Sequence, residues 1–212
     1  YGGKPLRTEY CHELALRLLI GCLAMMAAKH DVGIEVVFTH STDHYIRLYI
    51  LGHYGAKQAD RGLGEMGHVL HCFACSHREA SKGMFSPLRR ECPECGSKLE
   101  SAGPLWLGKL LDERFCMLME SEAEERSLRQ GKRIHRLLSR VREEAEAPIT
   151  YYVIDKVCDQ LGLPVPPMSE VLNGLEKVGF RALTTHFHNR GFRTDAPAKG
   201  VREVMAKLAV QP

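Results

Sequence analysis

At 212 residues with 44% hydrophobic side chains, the chain can bury a substantial core as one large domain or two to three small ones, which excludes a disordered or low-complexity protein. A net charge of +3 and an isoelectric point near 8.4 do not by themselves announce a polyanion as partner, so the distribution of charge along the chain matters more than its sum. Eight cysteines without secretory features fit a reducing, cytoplasmic setting, where paired cysteines hold metal more often than they form disulfides.

From Thr8 to about Lys29 the run LALRLLIGCLAMMAAKH predicts a helix that is apolar nearly all round, with Glu9, His12, Glu13 and Arg17 on its first turns. Its longest apolar stretch, Leu14 to Ala28, is interrupted by Arg17 and reads as a core helix packed against a sheet, not as a membrane span. Two strand-like runs follow, 34–40 and 44–51, separated by Ser41-Thr42-Asp43, which predicts a β-hairpin. A short polar helix over 56–66 then leads into the strand HVLHC, which delivers the first of four clustered cysteines.

The motif GPLWLG (103–108) holds the single tryptophan and is expected to open a helix whose first part is acidic, with Asp112, Glu113, Glu120, Glu122, Glu124 and Glu125. The charge then reverses: Arg126 to Arg142 contains seven Lys or Arg and no acid. On a helix, Arg129, Arg133, Arg136 and Arg140 form one stripe, with Gly131 as a weak point. After Pro148 the order is a helix around 153–162, a proline-rich turn, a helix capped by Ser169 and ended by Gly179, and two strand-like segments at 181–187 and 192–195. Helix, turn, helix and hairpin is the order of a winged helix. The segments divide the chain at 1–67, 68–102, 103–147 and 148–212.

Cys72-x-x-Cys75, sixteen further residues, and Cys92-Pro-Glu-Cys95-Gly96 have the ligand spacing of a structural zinc ribbon. Four thiolates leave no open coordination position, so such a metal is structural and not catalytic. The alternatives are unrelated free thiols or a redox couple, but no thioredoxin-like βαβ context surrounds either pair. Cys11, Cys22, Cys116 and Cys158 fall in predicted helices and read as core thiols.

The stretches YGGKPLRTEYCHELALRLLIG, STDHYIRLYI, the two Cys-x-x-Cys pairs, GPLWLG, and VGFRALTTHF with FRTDAP resemble, in this order, the later part of the archaeal-type tRNA (guanine-26-N2)-dimethyltransferases. That resemblance implies an α/β fold: the closing part of a Rossmann-like methyltransferase sheet, a four-cysteine zinc module, and a winged-helix-like α+β C-terminal domain that binds tRNA. It also implies S-adenosylmethionine as cofactor and methyl transfer to the exocyclic amine of a guanine in tRNA. A Gly-x-Gly-x-x-Gly loop and an Asp-Pro dipeptide, which such an enzyme uses for cofactor and target amine, do not occur in these 212 residues. The first residue is Tyr1 rather than Met, so the cofactor-binding strands and catalytic residues are expected upstream, in a missing N-terminal half.

By the same resemblance Lys4 and Arg7 border the active-site mouth, where they hold a phosphate or form a solvated loop. His44, Tyr45 and Arg47 lie on the closing strand. The stripe of Arg129, Arg133, Arg136 and Arg140 is a solvated face or a tRNA backbone site, and His186, His188, Arg190 and Arg193 are the wing residues expected at phosphates. The competing reading is a non-enzymatic nucleic-acid adaptor made of a zinc ribbon and a winged helix.

Overall fold

The computed structural model describes residues 1–42, 45–126 and 128–210. Helix α1 (Cys11–Ala28) buries Leu14, Leu16, Leu18, Ile20 and Ala24 on one side. The opposite side, with Ala15, Leu23 and Met26, is exposed, so the helix is covered on one side only. By length and composition alone its 18 residues could cross a bilayer. Its packing on strands, and the buried Glu13 and Arg17 in mid-face, make it a core helix.

Strand β1 (Val32–Thr42) pairs antiparallel with β2 (Tyr45–Tyr54), from Val32 opposite Tyr54 to Thr42 opposite Tyr45. A bulge between Val36 and Phe38 adds one residue to β1, and its effect is to reverse the facing. Val36 packs towards α1, whereas Phe38 enters a separate core on the other side. Helix α2 (Ala56–Gly64) lies so close to β1 that a Cβ on Gly33 would sit 2.2 Å from the carbonyl oxygen of Gln58. Among the described residues β2 has β1 as its only strand neighbour, and Tyr45, Tyr49, Leu51 and Tyr54 stand exposed on it. His44 and Asp43, expected in this hairpin, lie outside the described residues.

The second sheet has the order β4-β3-β5, built from β3 (Met66–His71), β4 (Arg78–Lys82) and β5 (Glu100–Trp106). Its central strand is wholly buried beneath α1. GPLWLG therefore does not open a helix: residues 103–106 finish β5, and the Trp106 indole donates to the Lys109 carbonyl at 3.0 Å. The helix starts later, as α3 (Glu113–Glu125), because the Asp112 carboxylate caps it by accepting from the Phe115 amide at 2.8 Å. The expected long basic helix is likewise divided. Gly131 is the first residue of α4 (Gly131–Glu143), which leaves Arg129 outside the helix and restricts the stripe to Arg133, Arg136 and Arg140. Helices α3 and α4 pack on Phe38 through Cys116, Leu138 and Val141.

The last part comprises β6 (Tyr152–Val153), α5 (Ile154–Leu161), α6 (Met168–Lys177), β7 (Ala182–Thr184), β8 (Gly191–Thr194) and α7 (Ala198–Val210), with antiparallel strand order β6-β8-β7. Ser169 is not the N-cap of α6: the chain enters the helix from Pro167, two residues earlier than the expected cap, and no side chain caps it. α7 was not foreshadowed by any reading of the sequence after FRTDAP; it closes the core with Val201, Val204 and Met205 against Val157, Val171 and Phe192. Tyr151 and Phe187 of this last part join the same core as Leu14, Met66 and Leu105, so the first and last thirds of the chain share one apolar interior.

Candidate metal centre and nucleic-acid surface

β3 ends where the first knuckle begins. Cys72 accepts from the Ser76 amide at 2.9 Å and donates its own amide to His77 at 2.8 Å. The second knuckle repeats this pattern: Cys92 accepts from Gly96 at 2.9 Å and donates to Ser97 at 2.8 Å. Both turns require a left-handed residue four places after their first cysteine. Ser76 supplies it at φ 59°, and Gly96 at φ 73° with no steric cost. The four sulfurs lie within 4.8 Å of one another, with Cys72 to Cys95 and Cys75 to Cys92 both at 3.5 Å. A tetrahedral Zn–S₄ centre with bonds of about 2.3 Å needs sulfur separations of roughly 3.8 Å, which this cluster fits. Burial pushes the Cys72 and Cys75 thiols up, whereas the Ser97 hydroxyl and amide draw Cys95 down to about 6. A divalent cation that displaces the remaining protons removes the cost of burying thiolates.

The cluster is also tied to the end of the chain. Gln160 on α5 donates to the Phe73 and Ala74 carbonyls at 3.3 and 2.7 Å and accepts from Ser76 at 2.8 Å. Arg202 on α7 donates to the Cys75 carbonyl and pairs with Glu94 at 2.9 Å. Arg78 on β4 pairs with Glu9 at 2.7 Å, donates to the Tyr151 carbonyl at 2.6 Å and lies 3.7 Å above the Tyr152 ring. Nothing in the local sequence marks Gln160, Arg202 or Arg78 for these contacts.

A second polar cluster is fully enclosed. Glu13 pairs with Arg17 at 2.8 Å and with Arg193 at 2.9 Å, and Arg193 also pairs with Glu144 at 2.5 Å. Arg193 further donates to the Pro148 and Thr150 carbonyls at 2.8 and 3.0 Å. The His186 ring and amide meet Glu144 at 2.8 and 2.6 Å. Burial acts to raise the Glu144 carboxyl, but the His186 hydrogen bond and the Arg193 charge outweigh it and hold it at about 2.

This overturns part of the expected phosphate surface. Arg193 and the His186 side chain are buried because two carboxylates, one of them 180 residues away at Glu13, take their donors inward. Of the remaining wing residues, Arg190 is exposed but paired with Asp155 at 2.5 Å, and the His188 ring accepts from the Arg190 amide at 3.1 Å. Arg133, Arg136 and Arg140 are exposed on α4, and Arg136 and Arg140 make no ion pair among the described residues. Lys4 is bridged to Gly103 through its backbone with its side chain in solvent, and Arg7 is exposed beside it. Of the other thiols Cys116 and Cys158 are buried as expected, but Cys11 is exposed on the open side of α1.

A helix packed on a hairpin, a pair of knuckles that bring four thiols together, and a terminal α+β unit tied to both by buried ion pairs and hydrogen bonds define an α/β protein with a four-thiol cluster. The family model for N2,N2-dimethylguanosine tRNA methyltransferase matches residues 1–206, and the chain belongs to that family. A tRNA (guanine(26)-N(2))-dimethyltransferase of Methanothermobacter thermautotrophicus is 43% identical over 98% of the chain and 54% of its own length. The corresponding protein of Methanobrevibacter smithii is 42% identical over 99% of the chain and 54% of its length. Among solved structures, Trm1 from Pyrococcus horikoshii, in complex with S-adenosyl-L-methionine, matches with a TM-score of 0.84 and 32% identity over 96% of the chain and 52% of that protein. The chain thus spans about half the length of the relatives it matches.

Proposed function

We propose that this chain is the RNA-engaging part of an S-adenosylmethionine-dependent tRNA methyltransferase that methylates the exocyclic N2 amine of guanine 26. The observation that carries this reading is the likeness of 96% of the chain to about half of Trm1 from Pyrococcus horikoshii, a protein solved with S-adenosyl-L-methionine. The groups that hold the cofactor and the target amine are assigned to the part of these proteins that this chain does not match. The open edge of β2 and the exposed Tyr45, Tyr49 and Leu51 support that division: they offer a surface on which further strands of one sheet can pair.

In this reading Cys72, Cys75, Cys92 and Cys95 hold one structural zinc ion, and β6 to β8 with α5 and α6 act as a winged helix against tRNA. The basic balance lies on the same side of the chain: residues 126–212 carry 15 Lys or Arg against 9 Asp or Glu, a balance of +6 where the whole chain has +3. A-form RNA hides its deep groove from side chains, so α4 reads backbone and shape. The adaptor reading loses ground to family membership.

Two measurements test the reading. The chain alone should bind tRNA but show no calorimetric signal with S-adenosylmethionine, and guanine N2-methylation, read by nucleoside mass spectrometry, should appear only with the remaining half supplied. Tight cofactor binding by the chain alone would refute the division of labour. Arg136→Ala with Arg140→Ala should weaken all tRNAs alike and lower the slope of log affinity against log salt by about 1–2; an unchanged slope returns α4 to a solvated face.

A further inference from the structure

We propose that the groove between the N-terminal loop, the open side of α1 and the first cysteine knuckle takes one unpaired nucleotide of the RNA, with its base stacked on Phe73 and its phosphate on Arg7 and Lys156. The inference rests on the RNA-engaging reading above and adds a site that the α4 surface does not contain. The groove measures about 820 Å³ and is floored by apolar side chains, among them Leu14, Leu18 and Ile46. That volume lies within the roughly 300–1,000 Å³ of clefts that enclose a small ligand.

Phe73 occupies one of the two positions between a pair of metal-binding cysteines, where the knuckle itself demands no particular side chain. Its ring is nevertheless 49% exposed, and it is held from three directions. Cys72 precedes it in the chain, the Gln160 side-chain amide donates to its carbonyl at 3.3 Å, and the His71 ring meets it edge-on at 4.5 Å between centroids. A rigid, half-exposed aromatic face in a cleft is the form of a stacking platform for a base, and such platforms are indifferent to base identity.

The charges agree with a nucleotide and not with an acidic peptide or an apolar segment. Arg7 is exposed and has no ion-pair partner among the described residues. Lys156 has only a 3.9 Å approach to Asp159, with both side chains about two-thirds exposed. Among the described residues Glu9 is the one acid lining the groove, and it pairs with Arg78 at 2.7 Å. Two exposed cations, one of them only loosely paired, flank an aromatic face over an apolar floor and complement a phosphate and a base in one step. The exposed ring on α4, His135, is paired with Glu124 at 3.2 Å, whereas the Phe73 ring stands open in its groove.

The test uses the zinc-loaded chain and a single-stranded RNA pentamer carrying one 2-aminopurine, whose fluorescence is quenched on stacking. The unaltered chain should quench the probe. Phe73→Ala should abolish quenching and weaken binding by about 5- to 100-fold, Phe73→Trp should restore both, and Arg7→Ala with Lys156→Ala should lower the salt slope by about 0.7. Zinc content and circular dichroism are measured on each variant. If Phe73→Ala loses its zinc, Phe73→Leu decides, since it keeps apolar bulk without a π face. Quenching and affinity equal to the unaltered chain in Phe73→Leu would assign the groove to a protein segment and overturn the inference. If the Phe73 variants bind as the unaltered chain while Arg136→Ala with Arg140→Ala still weakens tRNA, this site falls and the RNA-engaging reading stands. If the unaltered chain binds neither tRNA nor the pentamer, both fall.

Discussion

Replacing Arg193 by Met should be among the most damaging single changes in this chain, although the sequence places it in what reads as an exposed wing. The guanidinium meets Glu13 at 2.9 Å and Glu144 at 2.5 Å and donates to two backbone carbonyls, all within the interior. Met roughly preserves the volume but leaves Glu13 with Arg17 and the Thr150 amide, and Glu144 with His186 and Thr185. Removing one partner from a buried ion pair costs about 3–5 kcal/mol because the other charge stays behind. In a chain of this size that lowers the melting temperature by about 10 °C. The pH dependence is the sharper readout. Glu144 titrates at about 2 in the folded chain against 4.5 unfolded, so the unfolded state binds more protons between those values. The stabilisation, of order 3 kcal/mol, is therefore complete above pH 4.5 and is lost as pH falls towards 2. Arg193→Met should forfeit much of it, so the two stability curves, measured by urea unfolding, should lie far apart at pH 7 and converge below pH 4.5. Adding Glu144→Gln to Arg193→Met should recover part of the loss. A melting shift under about 2 °C, or curves that stay parallel with pH, would refute the buried-network account.

The remaining predictions concern metal and packing. Purified protein should hold about one zinc per chain, and Ser in place of Cys72, Cys75, Cys92 or Cys95 should release it and open 72–99 to protease; freshly reduced protein without zinc would refute the centre. Because Arg202 and Gln160 grip the knuckle backbone, chelation should also speed amide exchange in α5 and α7, and unaltered exchange there would show that the grip carries no stability. Gly33→Ala should cost about 1–3 kcal/mol, since its Cβ would lie 2.2 Å from the Gln58 backbone oxygen, and an unchanged melting temperature would contradict that approach.

What was legible in the sequence is what local chemistry specifies. The apolar run before 28, the hairpin, the two cysteine pairs and the helix-turn-helix after 153 each carry their signal within a dozen residues, and each formed within a few residues of its expected bounds. GPLWLG misled because a tryptophan beside small residues suits a strand end as well as a helix start, and the deciding feature, the Asp112 cap, lies four residues beyond the motif. The basic stripe was legible in part: Gly131 marks its weak point, and α4 begins at that glycine, which leaves Arg129 outside the helix. Arg193 and His186 were misplaced for a deeper reason. Their carboxylate partners are Glu13 and Glu144, and no spacing rule links positions 180 or 42 residues apart.

The positions that escaped sequence reading have one architectural effect in common. Gln160, Arg202 and Arg78 each join the cysteine knuckles or the strand after them to the last third of the chain, and Glu13, Arg193 and Glu144 join α1 to that same third. Two clamps therefore fix the β6–β8 unit against α1 and the cluster, one at the cysteine knuckles and one through buried ion pairs. A unit that only increased affinity for RNA could hang on a flexible linker and gain by effective concentration alone. Rigid attachment at two points, with a shared apolar core between them, is the arrangement required when a bound RNA must present one nucleotide at a set distance from a site on the other side of α1. On the proposed reading a zinc ion would act on chemistry it never touches: it would fix the knuckle, the knuckle is tied to α5 and α7 through Gln160 and Arg202, and these would set where the RNA lies relative to the open face of the β1–β2 hairpin.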